Sequence, residues 1–210
     1  ARRSIGSEGN CLGTTAAGTF NLTNTELTQL TNGFSSITIG RATGTGAIQI
    51  DAGAAFNDPV TIQSPGTAGS ISLTAAGVLS VTGTDTLTLI AGTGNSGTFT
   101  QTSGATITAG TGAITITADA VALAGANSIT STGGSITLQP STAARPVVVA
   151  NTGAATDFEL TATELGTLAN GFSSITIGSA TGTGALTFGD GALAGTGFTF
   201  NDPITLRSAT

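Results

Sequence analysis

Carboxylates come closest to forming a site in this sequence, because they recur. Asp58 and Asp202 each sit in an FNDP motif, and Glu26 and Glu164 each stand three residues after a threonine. Paired carboxylates can do acid–base work or, with enough oxygen neighbours, hold calcium. Little else in the chain could join them. There is no His, no Lys and a single cysteine, Cys11, so neither a Ser-His-Asp triad nor a zinc site can be assembled. Recurrence itself argues for structure, since an active centre needs its acid once. FNDP reads as an Asx-type turn, with Pro59 or Pro203 fixing the backbone ahead of a strand. Calcium is the second reading of these Asp, although the Gly/Asp nonapeptide of calcium-binding β-rolls is missing. The GTG stretches lack the Gly-Lys-Thr and the long helix of a phosphate loop. No catalytic residue and no other cofactor is assigned.

The elements around these carboxylates recur with them. FNLTNTELTQLTNGFSSITIGRATGTGA (Phe20 to Ala47) returns as FELTATELGTLANGFSSITIGSATGTGA (Phe158 to Ala185). Register is lost at a Gly/Ala-rich insertion, GDGALAGTG, and recovered at FNDPVTIQS and FNDPITLRS. Residues 1–19 read as the end of a preceding repeat, 20–157 as one complete long repeat and 158–210 as the start of the next. That organisation looks like a piece of a longer array, with any export signal outside it.

Composition narrows the class. Thr makes up about a fifth of the chain and Gly, at 32 residues, about a seventh, while Lys, His, Met, Trp and Tyr are absent. Charged residues are only 8% but apolar ones reach 39%, which is not the balance of a disordered chain. The net charge is −6 and the five basic residues, all Arg, are scattered, so no stripe exists to bind nucleic acid. No apolar run approaches the ~20 residues of a membrane helix, so no membrane insertion is expected. Cys11 cannot make an internal disulfide and reads as a small buried apolar residue, with an intermolecular bridge as the alternative.

Short bursts of period-2 alternation dominate: SITIG, VTIQ, SISLT, TLTLI, AITITA, SITLQ. Ile, Leu and Val face one way while Thr, Ser and Gln face the other, as in strands with one buried face. Gly-containing turns separate them. Two all-β architectures fit that rhythm, an antiparallel sandwich and a β-solenoid with about 20 residues per coil. Small aliphatic residues suit the narrow bore of the solenoid, and stacked Thr suits its outside. The solenoid is therefore expected, about ten coils and ~50 Å long at ~4.8 Å per coil. One segment breaks the pattern. TNTELTQLTNG reads as a two-turn helix with a Thr23–Glu26 capping box, a Leu27/Leu30 face and a stop at Asn32-Gly33, after which Phe34 packs the helix onto the coil. Thr161, Glu164, Gly171 and Phe172 repeat the device.

The order of these motifs resembles a block found in very large bacterial surface proteins of the filamentous haemagglutinin type, cyanobacterial ones especially. Glu26-Leu27, Ile37 to Gly40 and Ala47 to Ile50 match it, and Glu164-Leu165, Ile175 to Gly178 and Ala185 to Phe188 match it again. GSISL, GAITITA and GGSITL in between resemble the family's generic coils. The resemblance implies a right-handed parallel β-helix, into which the two short helices read above would be inserted once per long repeat, together with secretion to the outer cell surface and a role in adhesion or in building surface fibres. It implies no catalytic residues.

The expected function is thus a non-enzymatic structural or adhesive segment of a secreted fibre or giant adhesin, whose partners are copies of itself, end to end or side by side, and surface carbohydrate. Two other classes share the β-solenoid frame. A polysaccharide-cleaving β-helix would need Asp clustered with Lys or Arg. An ice-binding solenoid would need pairs such as Thr86/Thr88, Thr106/Thr108 and Thr115/Thr117 aligned on one flat face, and their spacing is irregular.

Overall fold

A computed structural model of the chain describes residues 10–13, 20–94, 97–189 and 198–208; of residues 10–13, 20 and 21 only the backbone is described. The first described elements are β1 (Asn10–Gly13), β2 (Phe20–Thr23), α1 (Asn24–Leu27) and β3 (Ile37–Gly40). Three-strand coils follow. The first is β4 (Ala47–Ile50), β5 (Gly53–Phe56) and β6 (Val60–Gln63); the second is β7 (Ser70–Leu73), β8 (Val78–Val81) and β9 (Leu87–Ile90). The third is β10 (Thr98–Gln101), β11 (Thr106–Ala109) and β12 (Ile114–Thr117); the fourth is β13 (Ala120–Leu123), β14 (Ile129–Ser131) and β15 (Ser135–Gln139). β16 (Val147–Val149) closes the first long repeat, and the second copy supplies β17 (Phe158–Leu160), α2 (Ala162–Leu165), β18 (Ser174–Gly178), β19 (Leu186–Phe188) and β20 (Ile204–Arg207).

The expected β-solenoid is what the chain forms. Every ladder is parallel, and like strands of successive coils stack into faces. The third strands make one seven-stranded sheet, β3-β6-β9-β12-β15-β18-β20. In it, aliphatic residues repeat at two register positions and threonine at the one between, as at Ile114-Thr115-Ile116 beside Leu87-Thr88-Leu89. Alternation in sequence has become two inward aliphatic columns and one outward threonine row, because side chains alternate across a strand. Ile114, Ile116 and Leu138 are fully buried, and Phe56, Phe99 and Phe158 are the largest side chains buried with them.

Coils are longer than expected and fewer. Neighbours on successive coils lie 22 residues apart at Thr108 and Thr130 and 28 apart at Gly83 and Thr111. Three strands with three corners need that length. The chain makes about 6 turns, which gives a stack of ~30 Å rather than ~50 Å. Corners stack as tightly as strands. A Cβ on Gly112 would lie 1.8 Å from the Asp85 carbonyl oxygen of the coil below, so only glycine fits there.

The sequence pattern does not reveal one feature of the topology. On the first face the stacking order is β17-β16-β19, and in the first copy β2-β1-β4. The chain lays down β16, then returns through residues 150–157 to place β17 on its other side, against β13. Ala150 adopts φ 57° where this return begins, and Arg145 donates from Nη2 to the Asp157 carbonyl at 3.3 Å across it. The same inversion in both copies places the capped helix immediately after the returning strand.

Candidate functional surface

The repeated motifs meet each other. In the first copy, the Gly33 N–H donates to Asp58 Oδ1 at 2.8 Å. In the second, the Gly171 N–H donates to Asp202 Oδ1 and Oδ2, both at 3.1 Å, and the Phe172 N–H to Oδ2 at 3.2 Å. FNDP is therefore not the local Asx-type turn expected: its carboxylate reaches the Asn-Gly-Phe loop one coil away. Each proline contributes its carbonyl, Pro59 accepting from the Ile37 N–H and Pro203 from the Ile175 N–H, both at 2.8 Å. The two motifs recur together because one clasps the other. The GDGALAGTG insertion between them falls mostly outside the described residues.

The capping boxes are complete in both copies. Thr23 and Thr161 accept from the N–H of Glu26 and Glu164, whose carboxylates accept in return from the threonine N–H at 2.9 Å. These bonds, the backbone one foremost, hold the Glu26 carboxyl below the usual glutamate range. The helices are one turn long rather than two. Thr28 and Gly166 end them well before the glycines expected as stops, and Gly33 and Gly171, at φ 130° and 124°, instead turn the chain toward the Asp clasp.

Phe172 is buried as expected, 3% exposed, but Phe34 is 49% exposed. The reason is the coil beneath. Gly133 N–H donates to the Gly171 carbonyl at 2.7 Å, and Ser173 N–H to the Gly134 carbonyl at 2.9 Å. Leu123 N–H, at the end of β13, donates to Glu164 Oε1 at 3.2 Å. β3 is the outermost strand of its sheet, so the Phe34 loop has no such coil below it among the described residues.

Two further features escaped the sequence reading. Thr38, Thr61, Thr88, Thr115, Thr137, Thr176 and Thr205 form one unbroken row, one per strand of the third face. The Thr-x-Thr pairs themselves do not align: Thr106/Thr108 lies on the second face and Thr115/Thr117 on the third. Thr117, two residues along from that row, is flanked in its own register row by Ile90 on one side and Gln139 on the other. Asp119, 1% exposed, accepts from the Gly94 N–H at 2.7 Å, the Thr142 N–H at 2.7 Å and the Thr142 hydroxyl at 2.6 Å. Arg145 Nη1 stands 4.0 Å from it. This clasp ties three successive corners, and because it occurs once, no repetition advertised it.

Among the described residues no three His, Cys, Asp or Glu gather as a metal site, and no helix is long and apolar enough to cross a membrane. The Cys11 side chain and any pairing it makes lie outside the described residues. No protein-family model, no curated protein and no solved structure matches the chain.

Proposed function

We propose that the chain is a structural or adhesive segment of a secreted cell-surface fibre or giant adhesin, of the filamentous haemagglutinin type, and that its work is mechanical. The observation that carries this reading is the seven-stranded ladder that keeps one register through both copies. Pull along the axis is shared by whole ladders of parallel backbone hydrogen bonds, and a strand edge left open in such a ladder is one that a strand of another copy can join. The lateral faces are uncharged along most of their length, which favours copies of the chain or neutral carbohydrate as contacts. Adhesion to ice or to a polysaccharide lattice is a second reading, favoured by the threonine row and opposed by its mixed neighbours Ile90 and Gln139.

Cryo-electron microscopy of the native material tests the first reading. The expected result is thin fibres with a strong ~4.8 Å repeat along the long axis. Globular particles lacking that repeat would remove its physical basis.

A further inference from the structure

Asn-Gly occurs twice in the chain, at Asn32-Gly33 and Asn170-Gly171. Asparagine is chemically labile, and most of all when glycine follows it, because no Cβ shields the next nitrogen. That nitrogen gives up its proton to solvent base and attacks the asparagine Cγ. Ammonia leaves and a succinimide ring closes. Water then opens the ring at either carbonyl, giving aspartate or isoaspartate, the latter with the side-chain carbon inserted into the backbone. The reaction therefore starts at the glycine N–H, and in both copies that is the group the FNDP aspartate holds. Gly33 donates to Asp58 Oδ1 at 2.8 Å, and Gly171 donates to Asp202 Oδ1 and Oδ2, both at 3.1 Å. The Pro59 and Pro203 carbonyls, accepting from Ile37 and Ile175, keep each aspartate in place against the same loop.

We infer that Asn32 and Asn170 are latent deamidation sites and that Asp58 and Asp202 are the groups that hold them closed. A carboxylate in this position opposes the attack at each stage. It is a far weaker base than an amide anion, so it leaves the proton on the nitrogen. Its negative charge raises the energy of the anion that must form there, and Asp58, 3% exposed, is poorly screened by water. The charge-assisted bond also fixes the peptide plane, whereas attack needs the nitrogen to swing toward Cγ. Conversion would in turn undo the clasp. Aspartate at position 32 or 170 sets a second negative charge near the first, and isoaspartate lengthens the backbone between the capped helix and β3 or β18. FNDP thus guards the Asn-Gly turn as well as anchoring it.

The test ages the full chain at neutral pH as wild type, Asp58→Ala and Asp202→Ala, and follows aspartate and isoaspartate at each site by mass spectrometry. Asn32 lies between Arg3 and Arg41 and Asn170 between Arg145 and Arg207, so cleavage after arginine puts the two sites on different peptides. Wild type aged in guanidinium chloride gives the unguarded rate. Folded wild type should convert both sites roughly 10- to 100-fold more slowly than that, the range a hydrogen bond to a charged group is worth. Asp58→Ala should restore most of the unguarded rate at Asn32 and leave Asn170 slow, and Asp202→Ala should do the reverse. Asp58→Asn and Asp202→Asn, which keep an acceptor oxygen but lose the charge, should fall between, and they replace any alanine variant that does not fold. Wild type converting as fast folded as unfolded would overturn the guard. So would a variant that speeds both sites alike, which is general loosening of the stack, or one that slows its own site, which would make the carboxylate a base that promotes the attack.

Discussion

Residues 32–40 and 170–178 share nine letters, yet they sit in different surroundings. In both, an aspartate one coil away clasps the glycine N–H, a proline carbonyl starts the same strand, and a complete capping box precedes the loop. Then the two diverge: Phe172 is 3% exposed and Phe34 49%. Everything shared comes from the same repeat or from the coil that follows it. What separates the burial of the two phenylalanines comes from the coil described beneath the second loop. In a stack where each coil touches only its neighbours, local sequence sets the shape of a coil and position in the stack sets its burial.

The contrast can be broken from the largest effect downward. Ile116→Asp puts a charge among fully buried aliphatics of the third coil and should cost about 4 kcal/mol or more, unfolding the coils around it; an unchanged melting temperature would reverse the assignment of faces. Phe172→Ala should cost about 3–4 kcal/mol while Phe34→Ala in the single copy costs under ~0.5 kcal/mol, and equal losses would mean the two loops are covered alike. Asp58→Ala leaves the Gly33 N–H without its acceptor and should cost about 1–2 kcal/mol in chemical denaturation. Thr23→Ala and Thr161→Ala should each cost about 1 kcal/mol and resemble each other, since both boxes are complete.

Smallest is a pH effect at Glu26. Its carboxyl is held below the usual glutamate range by bonds that need the ionised form, so its contribution is whole above that range and disappears as pH falls through the lowered value. An NMR titration should find the Glu26 midpoint below that of an unstructured glutamate; a midpoint at or above it would mean the box does not form in solution.

Strands were legible because Ile, Leu and Val alternate with Thr and Ser wherever a strand forms, and the capping boxes because Thr-x-x-Glu is a local device. The clasp between FNDP and the Asn-Gly loop was half legible. Both motifs were seen to recur, but a contact 25 residues apart, as between Gly33 and Asp58, leaves no local mark. Helix length was overestimated because Leu27 and Leu30 suggested two turns, whereas Thr28 already closes the helix. Coil length was underestimated because strand spacing shows the corners but not how many make a turn. The reversed order of β16 and β17 and the Asp119 clasp depend on which coil lies beside which, and that is a property of the stack alone.

Amide hydrogen exchange at Ser35 and Ser173 tests the central claim most directly, with Gly33 and Gly171 as internal references. Both glycine N–H groups are clasped by aspartate and should be protected alike. Ser173 donates to the Gly134 carbonyl of the coil beneath and should also be protected, whereas Ser35, with no such bond among the described residues, should exchange at least tenfold faster. Equal protection at the two serines would contradict the account, because burial would then follow the nine shared residues and not the neighbouring coil.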